Sequence, residues 1–556
     1  MNGAVGLEEV SSPTFNNSNI NDSVVQQNLT YNVNINKEAN QTNPILLIVT
    51  VIIILPWIIY FIADPSAQDE DNPTPDYSDE IQMSFSSIST GTDHTCVVET
   101  SGSVYCWGLN KYGQVGKGFS DQIWDLTFDF NPSVVSMDPD ETATHVVNGD
   151  AHSCLILDTL ELLCWGHNNR GQIGDYSTFD SFSPMTVGFE DITSVSDVAL
   201  GFQFTCAILN QGDVYCWGSN NYGQSGGDSS SDMLSPNLVL ASDGDPTVYL
   251  STSTSSNFIC ALKYSGALFC WGDNSDGQLG VANLSYSHVP QLVELENNLS
   301  FEEIDVGPDY ACGISNNSQL YCWGSNSNGK LGIGSENYSS IDTPQFVAMP
   351  DSNQISKVAL AWDHSCAIDK SGDLLCWGAN SFSQLGVGNQ LESLSPIYSS
   401  TPSNAKTTEI YLDGWRSCAL MSDKSLYCWG ANTAGQIGDG SFSNRLQPTR
   451  TSLPIGEPVT DFSMSWGYSC AILNQSSVWC WGVNGGILGN GEREDSNEPV
   501  QVLPEIINDD FEPEPISKSD TNYWILIPTV FSISGLVALA YFYKITNSRM
   551  DKVTRR

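Results

Sequence analysis

The sequence predicts an all-β protein, a β-propeller, accompanied by two transmembrane α-helices. Three observations predict this fold class. Sixteen cysteines form eight pairs of identical spacing, and a Trp-Gly dipeptide follows the second cysteine of every pair. These dipeptides recur at steps of 52 to 58 residues, and two uncharged apolar runs lie at 45–63 and 523–543. A period near fifty residues, rich in short strands, glycine and aromatic residues, is typical of propeller blades.

The cysteine pairs are expected to be disulfides across β-hairpins. In the stretch CAILNQGDVYC, two strands are joined by a three-residue loop that ends in Gly212, where a left-handed backbone is readily adopted. Counting outward from this loop places Cys206 opposite Cys216 in a non-hydrogen-bonded pair. The Cα atoms of such a pair lie about 4.5 Å apart, at the short end of the disulfide range. The same spacing predicts eight disulfides: Cys96–Cys106, Cys154–Cys164, Cys206–Cys216, Cys260–Cys270, Cys312–Cys322, Cys366–Cys376, Cys418–Cys428 and Cys470–Cys480.

Two alternatives to disulfides arise from the same residues. Reduced core cysteines would also occur as pairs, whereas zinc is disfavoured because five of the eight units have no histidine shortly before the first cysteine.

The loop glycine is itself variable, so we expect strain or another turn type in the four units where it is replaced, by Leu160, Ser318, Lys424 and Ser476.

A second signature follows each Trp-Gly dipeptide. In residues 110–116 and 220–226 it reads N-x-Y-G-Q-x-G, and asparagine with glycine at these positions suits a tight turn that ends one strand. Lys330 stands where glutamine is usual, Ser383 replaces a glycine, and the last copy, 481–489, is one residue short. None of the copies has the GxxxxGK[ST] pattern, so these are interpreted as structural turns and not as phosphate loops.

Together these motifs resemble a known repeat. The unit G…H-[ST]-C-x-[IL]…G-x-[VL]-Y-C-W-G-x-N-x-x-G-Q-x-G…P resembles the regulator of chromosome condensation repeat over residues 82–504. The resemblance implies four-stranded blades around a central channel. Eight units favour eight blades, although the best-known members of the family have seven, so seven blades plus an accessory unit is the alternative.

The charge balance limits the partners that can be expected. The chain has 20 basic and 64 acidic residues, a formal net charge of −44. Such a surface repels a phosphate backbone, whose capture needs clustered lysine and arginine, so no nucleic-acid partner is expected. Acidity of this kind is typical of a displayed domain that must stay soluble.

The two apolar runs predict an integral membrane protein with its propeller outside. Each run is long enough to cross a bilayer, although a cleaved signal remains the alternative for the first. Basic residues after the second run favour a cytoplasmic C-terminus, and the disulfides independently favour an extracellular propeller. The predicted organisation is a disordered Asn-rich tail (1–44), a transmembrane helix (45–63), an acidic stalk (64–81), the propeller (82–504), an acidic stalk (505–522), a transmembrane helix (523–543) and a basic cytoplasmic tail (544–556).

Candidate binding residues come from two variable places in the repeat. The longest unit, the first, has an insertion that carries Trp124, Phe128 and Phe130. The turn before each first cysteine also varies, and it holds four further candidates: Tyr310, Trp362, Trp415 and Trp466. Aromatic residues on an exposed loop are typical contact hot spots, although packing over a neighbouring blade explains them as well.

The predicted function follows from these surfaces. No nucleophile elbow, HExxH, paired metal knuckle or dinucleotide fingerprint occurs, so no enzyme activity and no cofactor are expected. The acidic loop 273–277 is a weak candidate for calcium, because it lacks the EF-hand spacing. We expect a membrane-anchored, cell-surface recognition or adhesion module for a protein or glycan ligand. The alternatives are a structural envelope protein without a ligand, or the guanine-nucleotide exchange that the repeat family implies.

Overall fold

The computed structural model describes residues 83–502, apart from 120–127, 190–193, 210, 228 and 336–338. In this part of the chain, thirty-two strands form eight sheets of four strands each. The remaining regular elements described are three short 3₁₀ helices at Glu296–Asn298, Ser327–Gly329 and Pro350–Ser352. The predicted all-β fold with four-stranded blades is therefore confirmed.

Each blade is an antiparallel meander of four consecutive strands. The strands are, in blade 1, β1 (Phe85–Thr90), β2 (His94–Glu99), β3 (Val104–Leu109) and β4 (Phe128–Val134); in blade 2, β5 (Ala143–Asn148), β6 (His152–Leu157), β7 (Leu162–Gly166) and β8 (Ser181–Thr186); in blade 3, β9 (Val195–Gly201), β10 (Phe204–Leu209), β11 (Asp213–Gly218) and β12 (Met233–Leu240); in blade 4, β13 (Thr247–Ser251), β14 (Phe258–Lys263), β15 (Leu268–Asp273) and β16 (Tyr286–Val293). They continue, in blade 5, with β17 (Phe301–Val306), β18 (Tyr310–Ser315), β19 (Leu320–Ser325) and β20 (Ser340–Phe346); in blade 6, β21 (Ile355–Leu360), β22 (His364–Asp369), β23 (Leu374–Gly378) and β24 (Ser393–Tyr398); in blade 7, β25 (Thr407–Leu412), β26 (Arg416–Met421), β27 (Leu426–Gly430) and β28 (Arg445–Arg450); and in blade 8, β29 (Val459–Ser465), β30 (Tyr468–Leu473), β31 (Ser477–Gly482) and β32 (Ser496–Gln501).

The ring closes between blade 8 and blade 1. The first strand of each blade packs beside the first strand of the next, and β29 packs beside β1 in the same way. The amides of Ile88 and Thr90 in β1 donate hydrogen bonds to the side chains of Asp461 (2.9 Å) and Ser463 (3.0 Å) in β29. Every blade takes its four strands from a single repeat, so eight blades are complete and none is shared between the two ends. The prediction of eight blades is confirmed over the alternative of seven.

The predicted membrane segments lie outside this description. No helix among the described residues is long and apolar enough to cross a bilayer. The segments that the sequence assigns to tails, membrane spans and stalks all fall on residues that the structure does not describe: 1–44, 45–63, 64–81, 505–522, 523–543 and 544–556.

The eight predicted disulfides are all present. Each joins the second and third strands of its blade, with Cα atoms 4.1–4.2 Å apart. Cys206 lies directly opposite Cys216, as the loop count predicts, and no free cysteine occurs among the described residues. Since one disulfide crosslinks each hairpin, every blade contains its own covalent link.

The hairpin turns that lack glycine resolve in two ways. Leu160, Ser318 and Lys424 adopt the left-handed backbone that glycine would have, with φ of 67°, 65° and 64°. In blade 8 the turn is of another type, with positive φ at Asn474 (50°) and Gln475 (58°). The expectation of strain or a different turn is thus met by strain in three units and by a different turn in one.

A buried tryptophan joins each pair of neighbouring blades. The eight tryptophans that follow the second cysteines are fully buried. In seven of them the indole Nε1 donates a hydrogen bond of 2.8–3.1 Å to a main-chain carbonyl in the Gln-containing turn of the preceding blade: Trp165 to Gln114, Trp217 to Gln172, Trp271 to Gln224, Trp323 to Gln278, Trp377 to Lys330, Trp429 to Gln384 and Trp481 to Gln436. Because the carbonyl is the acceptor, Lys330 can replace glutamine without loss of this bond.

The eighth junction lacks this bond. Trp107 Nε1 is buried and has no hydrogen-bond partner among the described residues. Gly489 packs against this indole as the equivalent glycines do at other junctions: a Cβ atom would lie 2.7 Å from Trp107 Nε1, and one at Gly116 would lie 2.7 Å from Trp165 Nε1. The eighth junction therefore keeps the glycine contact of the other junctions and lacks only their indole hydrogen bond.

In blades 1, 2 and 5, the residue that opens the second strand forms a hydrogen bond with the next blade. His94 Nε2 lies 2.8 Å from Ser153 Oγ, and His152 Nε2 lies 3.0 Å from Thr205 Oγ1. Tyr310 follows the same rule, since its hydroxyl lies 3.0 Å from Ser365 Oγ. These side chains are buried, and each forms a hydrogen bond across a blade junction.

Candidate functional site at the channel mouth

Loops from seven blades meet at one end of the central channel. They connect the first and second strands of blades 1, 2, 4, 5, 6, 7 and 8, and they surround a hollow of about 340 Å³. Residues of these loops line it: Thr90, Gly91, Thr92, Asp150, Ser253, Thr254, Ser255, Pro308, Ala361, Trp362, Asp413, Gly414, Ser465 and Trp466. We call this end the channel mouth.

Three of the predicted binding residues form one cluster at the channel mouth. The ring of Trp466 lies between those of Trp362 and Trp415, with centroid distances of 5.7 and 5.6 Å and interplanar angles of 40° and 38°. Phe382 stacks on Trp415 at 5.1 Å. The indoles are exposed to 41% (Trp362), 39% (Trp415) and 54% (Trp466). We call the three indoles the tryptophan cluster.

A buried lysine holds the loop of Trp362. Lys330 Nζ donates hydrogen bonds to the main-chain oxygen of Trp362 (3.0 Å) and to Asp309 Oδ1 (2.6 Å). It also lies 4.7 Å from the centroid of the Tyr310 ring. The lysine that replaces glutamine in the turn of blade 5 therefore fixes a loop of blade 6.

A buried arginine holds the other two loops. Arg416 Nε donates to Asp413 Oδ2 at 2.5 Å, and Nη2 donates to the main-chain oxygen of Ser465, which precedes Trp466, at 2.6 Å. Burial raises the pKa of Asp413, and the nearby Arg416 opposes that rise. Gly414 leaves room for the central indole, because a Cβ atom there would lie 3.0 Å from Trp466 Nε1. The cluster is thus positioned by two buried cations and one glycine.

The other sequence candidates lie elsewhere. Tyr310 is fully buried, and its hydroxyl donates to the main-chain oxygen of His364 at 2.9 Å, so it supports the blade junction and is not part of the exposed surface. Trp124 and the side chain of Phe128 fall outside the described residues. Phe130 is half-buried on the fourth strand of blade 1, beneath Arg493 at 4.7 Å, whereas the cluster lies on inner loops of blades 6 to 8.

Acidic residues in and below the channel mouth were not among the sequence candidates. Asp150 lines the hollow and accepts a hydrogen bond from Thr92 Oγ1 at 2.8 Å. Burial and the charge of Asp150 raise the pKa of Asp93. Asp305, on the first strand of blade 5, accepts from the amide of Leu360 at 2.8 Å, and burial raises its pKa to about 7. In the sequence FEEIDV, Glu303 and Asp305 alternate with apolar residues, which is typical of a strand with one polar face. This pattern could have identified Asp305 as a candidate from the sequence.

A second hollow, of about 430 Å³, lies among the first strands of blades 4 to 7. It is lined by Tyr249, Glu303, Asp305, Lys357 and Glu409, among others. Lys357 and Glu409 form an ion pair across neighbouring strands. Burial raises the pKa of Glu303, and its carboxylate accepts from the amide of Val358. Glu303 and Asp305 accept hydrogen bonds from main-chain amides, and Glu409 pairs with Lys357. These acids therefore have a structural role.

The acidic loop that is a weak sequence candidate for calcium holds local hydrogen bonds instead. Asp273 Oδ1 accepts from the amide of Ser275 at 3.0 Å, and Asp273 Oδ2 accepts from its hydroxyl at 3.2 Å. Within the described ranges, no group of three or more histidine, cysteine, aspartate or glutamate side chains is arranged to hold a metal ion.

Comparison with known proteins identifies the family. The RCC1-like domain matches residues 234–512, and the regulator of chromosome condensation (RCC1) repeat matches 85–114, 101–156, 161–208 and 195–224. The ultraviolet-B receptor UVR8 of Arabidopsis thaliana is 30% identical over 63% of this chain and 79% of its own length. The human E3 ubiquitin-protein ligase HERC2 is 24% identical over 58% of this chain, but the chain spans only 7% of that protein.

Solved structures agree at the level of the fold. The crystal structure of Prp20p from Saccharomyces cerevisiae matches with a TM-score of 0.54 at 19% identity, over 70% of this chain and 92% of that one. The human WBSCR16 structure matches with a TM-score of 0.50 at 22% identity, over 61% of this chain and 87% of that one. By its repeats, its eight blades and these matches, the chain belongs to the RCC1-like family of β-propellers.

Proposed function

We propose that the propeller is a recognition module that binds a protein partner through the channel mouth. The observation that carries this proposal is the tryptophan cluster. Tryptophan is enriched at the centres of interfaces because it supplies a large contact area with few rotatable bonds. Three adjacent indoles that are 39–54% exposed are costly to leave in water unless they meet a partner.

The relatives support a binding role. The structure of Prp20p was solved together with a study of its binding properties to Gsp1p and histones, and another structure shows Kap60 bound to yeast RCC1 (Prp20). Binding to other proteins is thus a property of similar propellers. We expect the loops to determine which partner this chain binds, because connecting loops generally vary more among homologues than the strands they join.

Display at a cell surface is part of the same proposal. Eight hairpin disulfides are typical of an oxidising compartment, where such bonds persist. The apolar runs 45–63 and 523–543 are long enough for two membrane anchors. Topology labelling of whole cells with a membrane-impermeant reagent, followed by non-reducing mass spectrometry, tests both parts: we expect labelled propeller lysines and eight intact disulfides.

A pull-down with the solubilised full-length chain tests the binding site. We expect saturable capture of a partner that is lost in Trp466→Ala, which removes the central indole of the cluster. Phe442→Ala is the matched control, since Phe442 is 52% exposed on a loop of blade 7 outside the cluster. Equal capture by both variants contradicts the assignment of the channel mouth. Absence of any saturable partner supports a structural envelope protein without a ligand.

One observation favours a second candidate function, detection of ultraviolet-B light. The relative UVR8 carries the name ultraviolet-B receptor, and the indoles of the cluster lie 5.6–5.7 Å apart between neighbouring centroids. At that spacing, the excitation energy of one indole is readily transferred to the next. Irradiation of the full-length chain with ultraviolet-B light is then expected to change its near-ultraviolet circular dichroism. The change must vanish in Trp466→Phe and persist in Phe442→Ala.

A further inference from the structure

We infer that the channel mouth binds a cationic side chain, a lysine ammonium or an arginine guanidinium, from a basic segment of the partner. This inference rests on the proposed function and names the chemistry of the partner. Three features of the channel mouth carry it: the shape of the aromatic wall, the charge of the opposite wall, and the use that the protein already makes of its own nearby cations.

The aromatic wall is not flat. The planes of Trp362 and Trp415 are tilted by 40° and 38° from that of the central Trp466. Trp362 and Trp466 both line the 340 Å³ hollow. Coplanar rings make a flat platform, which suits a sugar ring, whereas tilted rings around a hollow do not and can contact a compact group from more than one direction. Tryptophan is also the aromatic side chain that attracts cations most strongly.

The opposite wall is acidic. Asp150 lines the same hollow, and Asp93 lies close enough for the charge of Asp150 to raise its pKa. Neither carboxylate forms a salt bridge with a described residue. A cation in the hollow would therefore have an unpaired carboxylate and two indole rings among the side chains that line its site.

The basic residues beneath the cluster are already neutralised. Lys330 pairs with Asp309, and Arg416 pairs with Asp413, with side-chain exposures of 2% and 1% for the two cations. They therefore position the loops without making the channel mouth positive. The chain as a whole carries a formal net charge of −44, which attracts basic segments over a longer range.

Fluorescence anisotropy with labelled peptides tests the inference on the full-length chain. The probes are a short fluorescein-labelled peptide of alternating lysine and glycine, its glutamate–glycine counterpart, and a labelled neutral oligosaccharide. We expect the lysine peptide alone to bind, and its affinity to fall with added salt because the attraction is partly electrostatic. Trp466→Ala and Asp150→Asn should each weaken binding by about tenfold, the range expected for a partly desolvated cation–π contact or charge pair.

Two control variants make the result specific. Phe442→Ala removes an exposed aromatic side chain outside the channel mouth, and Asp158→Asn removes an exposed carboxylate on a hairpin loop of blade 2. Both should bind the lysine peptide as the native chain does. Far-ultraviolet circular dichroism and the urea-unfolding midpoint of every variant show that the fold is retained.

The outcomes separate this inference from the proposed function. If the lysine peptide binds Trp466→Ala as well as the native chain, or if only the glutamate peptide or the oligosaccharide binds, a cation site at the channel mouth is excluded. If no lysine peptide binds, yet the pull-down still yields a partner that depends on Trp466, only the cationic chemistry is overturned. If capture is also independent of Trp466, both are overturned.

Discussion

Single residues set the geometry of the channel mouth through contacts between blades. Lys330 belongs to blade 5 and holds the main chain at Trp362 in blade 6. Arg416 belongs to blade 7 and holds the main chain before Trp466 in blade 8. A charged donor to a main-chain oxygen is stronger than a neutral one, and burial shields it from water. The exposed indoles are therefore preorganised, which lowers the entropic cost of binding a partner.

Asp305 gives the propeller a predictable pH dependence. Its folded-state pKa is raised from 3.8 to about 7, chiefly by burial, with a further contribution from the charge of Glu303. A raised carboxyl pKa means that the fold favours the protonated form. The stabilisation is complete below pH 3.8 and is lost as the pH rises through about 7. We expect Asp305→Asn, which stays neutral, to raise the free energy of unfolding above pH 7 by about 2 kcal/mol.

Urea unfolding of the native chain and the variant on either side of this window measures the effect. The difference between them should be small below pH 3.8 and fully developed above pH 7. Asp158→Asn serves as the control because that carboxylate is exposed, and it should not change the pH dependence. A pH-independent difference for Asp305→Asn would rule out titration of this carboxyl as its cause.

Residue position within the repeat decides which predicted aromatic residues reach the surface. Tyr310 is the first residue of its second strand, and its side chain turns into the blade junction. Trp362 and Trp466 lie two residues before that strand position and Trp415 one residue before it, so all three remain on the loop. The sequence alone could group these aromatics as a variable turn. Only the closed ring brings the indoles of Trp362 and Trp415 to centroid distances of 5.7 and 5.6 Å from that of Trp466.

Among the elements, the hairpins are the part of the fold that local sequence specifies best. A three-residue loop and a spacing of ten residues determine which cysteines face each other, and all eight disulfides follow. The blade junctions are less accessible from sequence. The hydrogen bond from Trp377 Nε1 goes to the main-chain oxygen of Lys330, 47 positions earlier. Because every residue has a main-chain oxygen, no side chain in the sequence indicates this bond.

The strained hairpin turns predict a stabilising substitution. Leu160 holds a left-handed backbone with φ of 67°, and its side chain is 46% exposed. Glycine adopts this conformation without the steric cost, although it also gains entropy in the unfolded chain. We expect Leu160→Gly to raise the free energy of unfolding by about 0.5–1 kcal/mol, measured by urea denaturation. Thr159→Gly, in the same turn but without a positive φ, should lower it by a similar amount. A loss of stability in both variants would show that the Leu160 backbone is not strained.

For the whole molecule, the junction between blade 8 and blade 1 differs from the other seven. Strand contacts close it, through the amides of Ile88 and Thr90 and through the hydroxyl of Tyr468, which lies 3.0 Å from Thr95 Oγ1. The indole bond of the other junctions is missing, because Trp107 Nε1 has no partner among the described residues. The ring is therefore covalently reinforced within each blade but unevenly hydrogen-bonded between blades.

This asymmetry predicts unequal effects of one substitution at two equivalent sites. Trp107→Phe and Trp323→Phe both remove part of a fully buried indole, so the loss of packing is similar. Only Trp323→Phe also removes a hydrogen bond, and it leaves the main-chain oxygen of Gln278 without its indole donor. We expect Trp323→Phe to lower the free energy of unfolding by about 1 kcal/mol more than Trp107→Phe, the typical net value of one buried hydrogen bond. Urea denaturation of the two variants side by side measures the difference. Equal losses would mean that Trp107 also donates a hydrogen bond in solution, and that all eight junctions are then alike.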